Sequence, residues 1–226
     1  MSSKIKVAIL DDHQSIIDGY LYRLNPIKDI EVVATLNFGE ELEPLLENHS
    51  IDVLLLDVQV PTAPDNANPY PILHLIPEFL QLYPDLHMLV ISMHDQPTLI
   101  KAVMEAGASG YLLKDDQASI QELGNIVMAI AKGGIHLSQQ VYQKLYKKLP
   151  KETTLTARQL EALSLCAAYP NETTAELAKR LEVANSTFRN LLSGVYIRLE
   201  VRSRAAAVAK ARHLGLITPI EHIPGI

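Results

Sequence analysis

Five residues in the first half of the chain place polar chemistry where an apolar run stops: Asp11, Asp12, Asp57, Ser92 and Lys114. The sharpest of these stops is Val53-Leu54-Leu55-Leu56-Asp57-Val58-Gln59-Val60-Pro61. An apolar run that short, bounded by turn signals, reads as a strand buried on both faces. In an open parallel sheet, reactive groups gather in the crevice beyond the carboxyl ends of the strands. Three carboxylates crowded there repel one another, and a hard oxygen set of this kind suits Mg²⁺ with several retained waters. Beside that charge Asp57 stays ionised and can attack phosphorus, while the metal and the Lys114 ammonium absorb the charge of the transferring group. The bland reading, a solvated strand terminus, suits any one of the five alone. It does not suit all five at the same ends.

The elements that must position these residues follow from hydrophobic period. Strands are expected at Ile5–Leu10, around Glu31–Ala34, at Ile51–Asp57, Leu86–Ser92 and Gly110–Lys114. Helical spacing marks Gln14–Leu24, Glu40–Glu47, Ile72–Leu82, Thr98–Ala106 (with Gly107 as C-cap) and Ile120–Ala131. This alternation predicts an α/β fold, a doubly wound five-stranded parallel sheet. The proline-rich stretch 62–71 reads as an irregular, partly extended loop.

Residues 132–150 read as a linker, opening on Gly133-Gly134 and holding a possible helix to Leu149. Beyond it the pattern turns all-helical. Thr156 and Gln159 form a capping box for a helix to Ala167, with Cys166 on its core face. Thr174–Leu181, Ser186–Leu199 (capped by Asn185) and Arg204–Leu214 follow, ending at Gly215. Four short helices with a tight break at Glu182–Asn185 describe a helix-turn-helix unit, although a generic small bundle has the same period.

Composition narrows the class. Residues 1–150 hold ten Lys+Arg against nineteen Asp+Glu, and residues 151–217 hold ten against six. An acidic domain is thus joined to a modestly basic one suited to a polyanion. No run approaches a membrane span, no signal-peptide pattern opens the chain, and a single cysteine excludes an internal disulfide. These features predict a cytoplasmic protein with no membrane partner. The eight histidines lack metal-ligand spacing.

The motifs Asp11-Asp12-His13, Asp57, Ile91-Ser92 and Gly110-Tyr111-Leu112-Leu113-Lys114 resemble a response regulator receiver domain, a CheY-like fold. Glu105 to Asp115 is similar to the NarL/FixJ subfamily, and Gly133 to Ser138 resembles its linker. The resemblance implies that Asp57 accepts a phosphoryl group from a sensor histidine kinase. It implies that Asp11, Asp12, Asp57 and the Gln59 carbonyl hold Mg²⁺ and that Lys114 contacts the phosphoryl oxygens. Ser92 and Tyr111 would be the switch pair, and the phosphorylated chain would form a homodimer. It further implies a regulator rather than an enzyme, with a receiver at 1–131, a linker at 132–150, a second domain at 151–217 and a tail at 218–226.

In the second domain Leu155-Thr156-Ala157-Arg158-Gln159, Glu176-Leu177-Ala178, Leu181, Thr187, Leu199, Val201, Arg204 and Gly215-Leu216-Ile217 follow the LuxR-type DNA-binding pattern. That likeness makes 186–199 the recognition helix, with Ser186, Thr187, Arg189, Asn190 and Arg204 as DNA contacts at a promoter. Departures stand at Ser186, Phe188, Leu191 and Gly194, where the family commonly has lysine, valine, histidine and asparagine. An exposed Leu191-Leu192 pair would equip a groove-reading face poorly. This motivates a second reading, a phosphorylation-controlled protein-interaction module whose helical domain no longer reads DNA. A third, an aspartate-nucleophile phosphatase, lacks the second aspartate such enzymes carry two positions on, because position 59 is Gln.

Overall fold

The computed structural model describes residues 4–145 and 155–218. Strand β1 (Ile5–Leu10) leads to helix α1 (Gln14–Leu24), then to β2 (Ile30–Leu36), a 3₁₀ turn at Gly39–Glu41 and α2 (Leu42–Asn48). The central strand β3 (Val53–Leu56) is followed by β4 (Pro61–Ala63), β5 (Asn66–Pro69) and α3 (Ile72–Leu82). Next come β6 (His87–Ser92), α4 (Pro97–Glu105), β7 (Gly110–Leu113), α5 (Gln117–Gln121) and α6 (Leu123–Ile130). The order closes with β8 (His136–Leu137), α7 (Gln139–Leu145), α8 (Ala157–Ala168), α9 (Thr174–Arg180), α10 (Asn185–Arg198) and α11 (Arg204–His213).

The main sheet is parallel, in the order β2-β1-β3-β6-β7-β8. Period-two alternation divides its side chains between two cores. Ala8, Leu10, Leu54, Leu56, Met88 and Val90 face one side with α3 and α4. Val7, Ile9, Val53, Leu55, Leu89 and Ile91 face the other, against α1 and α6. Every side chain of β3 is buried, so no polar residue could stand in it before Asp57.

The sheet has six strands, one more than expected. The sixth comes from the stretch read as a tether: His136 and Leu137 pair with Gly110 and Tyr111, and Val141 of α7 is fully buried in the core beside α4 and β7. The helix expected to reach Leu149 is described to Leu145; the rest, with the 150/151 boundary and residues 219–226 of the tail, lies outside the described residues. Two further expectations are corrected. The stretch 61–69 is an antiparallel hairpin, with Pro64-Asp65 as its two-residue loop and Thr62 Oγ1 donating to the Asn68 carbonyl at 2.7 Å. Proline is tolerated in both of its strands because the ribbon has no third strand to feed. The helix expected at Ile120–Ala131 starts earlier, because Asp116 caps it by accepting from Ser119 N, and it breaks at Glu122.

The helical half is built around α8, which carries one apolar cluster against α11 and another against α9 and α10. Its Thr156–Gln159 capping box forms as the sequence indicates, and Cys166 is buried. Asn185, expected as a cap, is instead the first residue of α10, with Ala184 before it and no side-chain cap. Helix α3 of the first half packs against α8. Among the described residues no helix is long and apolar enough to cross a membrane.

Candidate phosphorylation site and nucleic-acid face

Strand register sets the site. Leu10 lies opposite Leu56, so the residues just past them, Asp11 and Asp57, emerge side by side. Ser92 lies opposite Leu113, which puts Lys114 one step beyond. Backbone bonds from Asp57 N to Leu10 O (2.9 Å) and from Lys114 N to Ser92 O (2.9 Å) extend the sheet up to these residues.

The Lys114 ammonium lies 2.7 Å from Asp11 Oδ2 and 2.7 Å from Asp57 Oδ2. One cation therefore serves two buried carboxylates, leaving the cluster one negative charge in excess. Burial pushes the Asp57 carboxyl up, against the pull of Lys114. Burial opposes the Lys114 charge, but the two carboxylates more than offset it and hold that ammonium above the ordinary lysine value. Asp57 Oδ1 also accepts from Gln59 N at 3.2 Å. Asp12 is more open and bonds His13 Nδ1 at 2.8 Å. Ligand atoms of Asp11, Asp12, His13 and Asp57 all lie within 4.8 Å of one another, a spacing that fits one hard divalent cation. A cleft of about 190 Å³, lined by Asp12, His13, Ile16, Asp57, Gln59, Met93 and Lys114, opens the group to solvent.

Ser92 and Tyr111 are fully buried behind this cleft. Ser92 Oγ accepts from His94 N at 3.2 Å, while Tyr111 OH donates to the His94 carbonyl at 2.7 Å. His94 Nε2 lies 2.6 Å from Gln59 Oε1. The Gln59 side chain is thus engaged with His94, so only its backbone remains for the metal role expected of it. Neither His13 nor His94 is among the site residues expected from the sequence. His13 could have been found from its place beside the aspartate pair. His94 carried no signal, since its role depends on the turn after β6.

On α10, Ser186, Thr187, Arg189 and Asn190 are all exposed along one face, while Phe188, Leu192 and Val195 are buried. This corrects the expectation of an exposed leucine pair: Leu192 is core and Leu191 packs partly against the same cluster. Gly194 is accounted for by packing. A Cβ there would meet Gln159 Nε2 at 2.3 Å, because α10 crosses close to the α8 capping box. Arg204 stands apart from the other four. It is half-buried, and its guanidinium donates to the carbonyls of Glu172 (2.7 Å) and Pro170. Arg180 forms a two-pronged pair with Glu172 and lies 3.7 Å over the Tyr169 ring. The turn at 169–172 is therefore braced by two arginines.

Residues 7–125 match the family described as the response regulator receiver domain. The chain is 30% identical over 232 residues to the transcriptional regulatory protein DegU of Brevibacillus brevis, covering 92% of this chain and 93% of that one. It is 29% identical to the probable transcriptional regulatory protein NarL of Mycobacterium tuberculosis, covering 95% and 96%. In fold it is similar to RcsB of Salmonella enterica serovar Typhimurium bound to the promoter rprA, with a TM-score of 0.65, 21% identity and 92% and 98% of the two chains covered.

Proposed function

The chain belongs to the response regulator family, and from that premise we propose that it is a phosphorylation-controlled transcription factor acting through Asp57 and α10. The observation that carries the reading is the triad Asp11–Lys114–Asp57, an ion pair with a surplus carboxylate facing an open cleft. In the reaction, an Asp57 oxygen attacks the phosphorus of a phosphohistidine on a sensor kinase. The P–N bond breaks, and the histidine leaves carrying the bonding pair and takes up a proton. Lys114 stays within reach of the transferred oxygens as their charge develops. Asp11, Asp12 and the Gln59 backbone would hold Mg²⁺, which when bound neutralises charge on the phosphoryl oxygens. Asp57 would complete the set: its carboxylate and those of Asp11 and Asp12 are three of the four donors that lie within 4.8 Å of one another.

Ser92 and Tyr111 are the switch residues in this reading. A phosphoryl group on Asp57 offers the Ser92 O–H a charged acceptor, and a Ser92 side chain rotated towards it moves its oxygen away from the His94 N–H that it accepts from. Tyr111 already lies inward, with its hydroxyl on the His94 carbonyl, so this switch needs no inward turn of the ring. At the output end Arg189, Ser186, Thr187 and Asn190 face the DNA major groove, and Arg204 acts by bracing the 169–172 turn beneath them. Phosphorylation promotes a homodimer that binds paired half-sites. The chain works in the cytoplasm as a regulator, not as a turnover enzyme.

Intact-mass measurement after incubation with acetyl phosphate and Mg²⁺ tests the site. The wild-type chain gains one phosphoryl group and Asp57→Asn gains none. Equal uptake by both would sink the assignment.

A further inference from the structure

A cavity of about 600 Å³, within the range of small-molecule sites, plays no part in the chemistry above. Its wall takes Glu40, Glu43 and Glu47 from the 3₁₀ turn and α2, Glu78 from α3, and Tyr169 and Arg180 from the helical half. Glu40, Glu43 and Glu47 recur at steps of three and four residues, which sets them along one helix face. Among the described residues none of these three is in an ion pair. Arg180 does not balance them, because it is paired with Glu172 and lies 3.7 Å over the Tyr169 ring. His74, also on the wall, is held neutral by burial and adds no compensating charge at neutral pH. A second feature is independent of this charge. Tyr70 lines the cavity yet is only 5% exposed, and its ring is wedged on Gly39, where a Cβ would meet Cγ at 2.0 Å. Burial, then Tyr169 and the charges of Glu43, Glu40 and Glu78, push its phenol up, so the hydroxyl stays protonated and faces those cavity groups. Among the described residues that hydroxyl has no hydrogen-bond partner. A buried hydroxyl in this position is left to bond whatever enters the cavity.

We propose that this cavity binds an aliphatic polyamine, a flexible methylene chain carrying two or more ammonium groups. The surplus of carboxylates selects a cation and repels phosphates and other anions. A single metal ion does not fit. Among the described residues only the Asp11, Asp12, His13 and Asp57 group brings three or more such ligand atoms within 4.8 Å, so the cavity's glutamates are too dispersed to converge on one ion. An extended cation suits that dispersal. Glu43 and Glu47 are offset by about 6 Å along the helix axis, and ammonium groups joined by a butane spacer span a similar distance. Each ammonium donates to carboxylates, and one donates to the Tyr70 oxygen. The methylenes lie against Leu75 and Leu165, the apolar part of the lining. The site does not depend on Asp57 being the phosphoacceptor.

The test is isothermal titration calorimetry of the full chain with spermidine, in low salt and with Mg²⁺ in excess so that the Asp11–Asp57 cluster is not the site measured. The wild-type chain is expected to bind one spermidine saturably. Butylamine, with a single ammonium, binds at least about tenfold more weakly, since it forgoes the second set of ion pairs. Tyr70→Phe keeps the ring on Gly39 and loses only the hydroxyl; it weakens spermidine about tenfold through the lost charge-assisted hydrogen bond. Glu43→Gln with Glu47→Gln weakens it by a similar factor of about ten. Glu31→Gln removes an exposed carboxylate at the start of β2, outside the cavity, and leaves the affinity within about twofold because that charge is screened. No saturable binding in excess Mg²⁺ would overturn the site. Equal affinity for butylamine and spermidine, or for the wild-type and Tyr70→Phe chains, would overturn it too. Equal weakening by Glu31→Gln and by the α2 pair would reduce the binding to diffuse attraction by an acidic surface, which also overturns it.

Discussion

At the scale of single residues the site is an arrangement of charge around one ammonium. Lys114 lies 2.7 Å from each of two buried carboxylates, so removing it leaves two like charges unpaired. Breaking a buried pair in this way costs about 3 kcal/mol or more. Lys114→Ala is expected to lower the denaturant midpoint accordingly and to abolish phosphoryl uptake, whereas Lys114→Arg keeps the charge and recovers part of the stability. Urea titration in metal-free buffer, paired with mass measurement after acetyl phosphate, checks both parts. A lone buried thiol gives a contrasting case. Burial pushes Cys166 up to about 12, so it is expected to resist alkylation in the native chain at neutral pH and to react once the helical domain is unfolded.

At the scale of elements, the stretch 132–145 belongs to the receiver. Val141 is fully buried and β8 extends the sheet, so Val141→Ala, which deletes two buried methyl groups, costs about 2 kcal/mol of receiver stability. A change in the main thermal transition larger than that of an exposed control such as Lys132→Ala is the expected result; equal behaviour would make α7 a loose tether after all. How legible these elements were follows from their chemistry. Gln14–Leu24 and Ile72–Leu82 came out at their true ends because each has an apolar stripe of helical period. Asp57 was legible because four apolar residues stop there. The β8 strand was not, since two residues carry no period and the pairing is supplied by the exposed edge of β7. The hairpin hid behind its prolines, which argue against strands unless the ribbon is isolated. On α10 the error lay in phase: the sequence shows two adjacent leucines, and only packing against α8 and α9 turns Leu192 inward.

At the scale of the whole molecule, the two halves meet along α3 and α8, and His74 lies at that seam. Burial lowers its pKa, opposed by Glu78 and Glu161 and by a hydrogen bond to the Arg180 backbone, with Arg158 acting in the same sense as burial. A histidine held neutral when folded binds fewer protons than in the unfolded chain, so its contribution is present above about pH 6.5 and is lost as pH falls from there towards the lower folded value. The melting temperature of the wild-type chain is expected to fall more steeply between pH 7 and pH 5.5 than that of His74→Gln; parallel curves would contradict it. At the output end, Arg189 is exposed while Arg180 and Arg204 are engaged with the 169–172 turn, so neither of those two is a free cation for a polyanion. A shallow salt dependence follows, and Arg189→Ala should reduce its slope by about 1. The central claim, that phosphorylation at Asp57 controls sequence-specific DNA binding, is tested most directly by selection from a genomic DNA library. Wild-type and Asp57→Asn chains would be compared with Mg²⁺ and beryllofluoride, and the retained motif titrated against Arg189→Ala. The account predicts a paired half-site motif enriched by the wild-type chain, at least tenfold weaker with Asp57→Asn and weakened again by Arg189→Ala. Enrichment of no motif, or of the same motif equally by wild-type and Asp57→Asn, would contradict it.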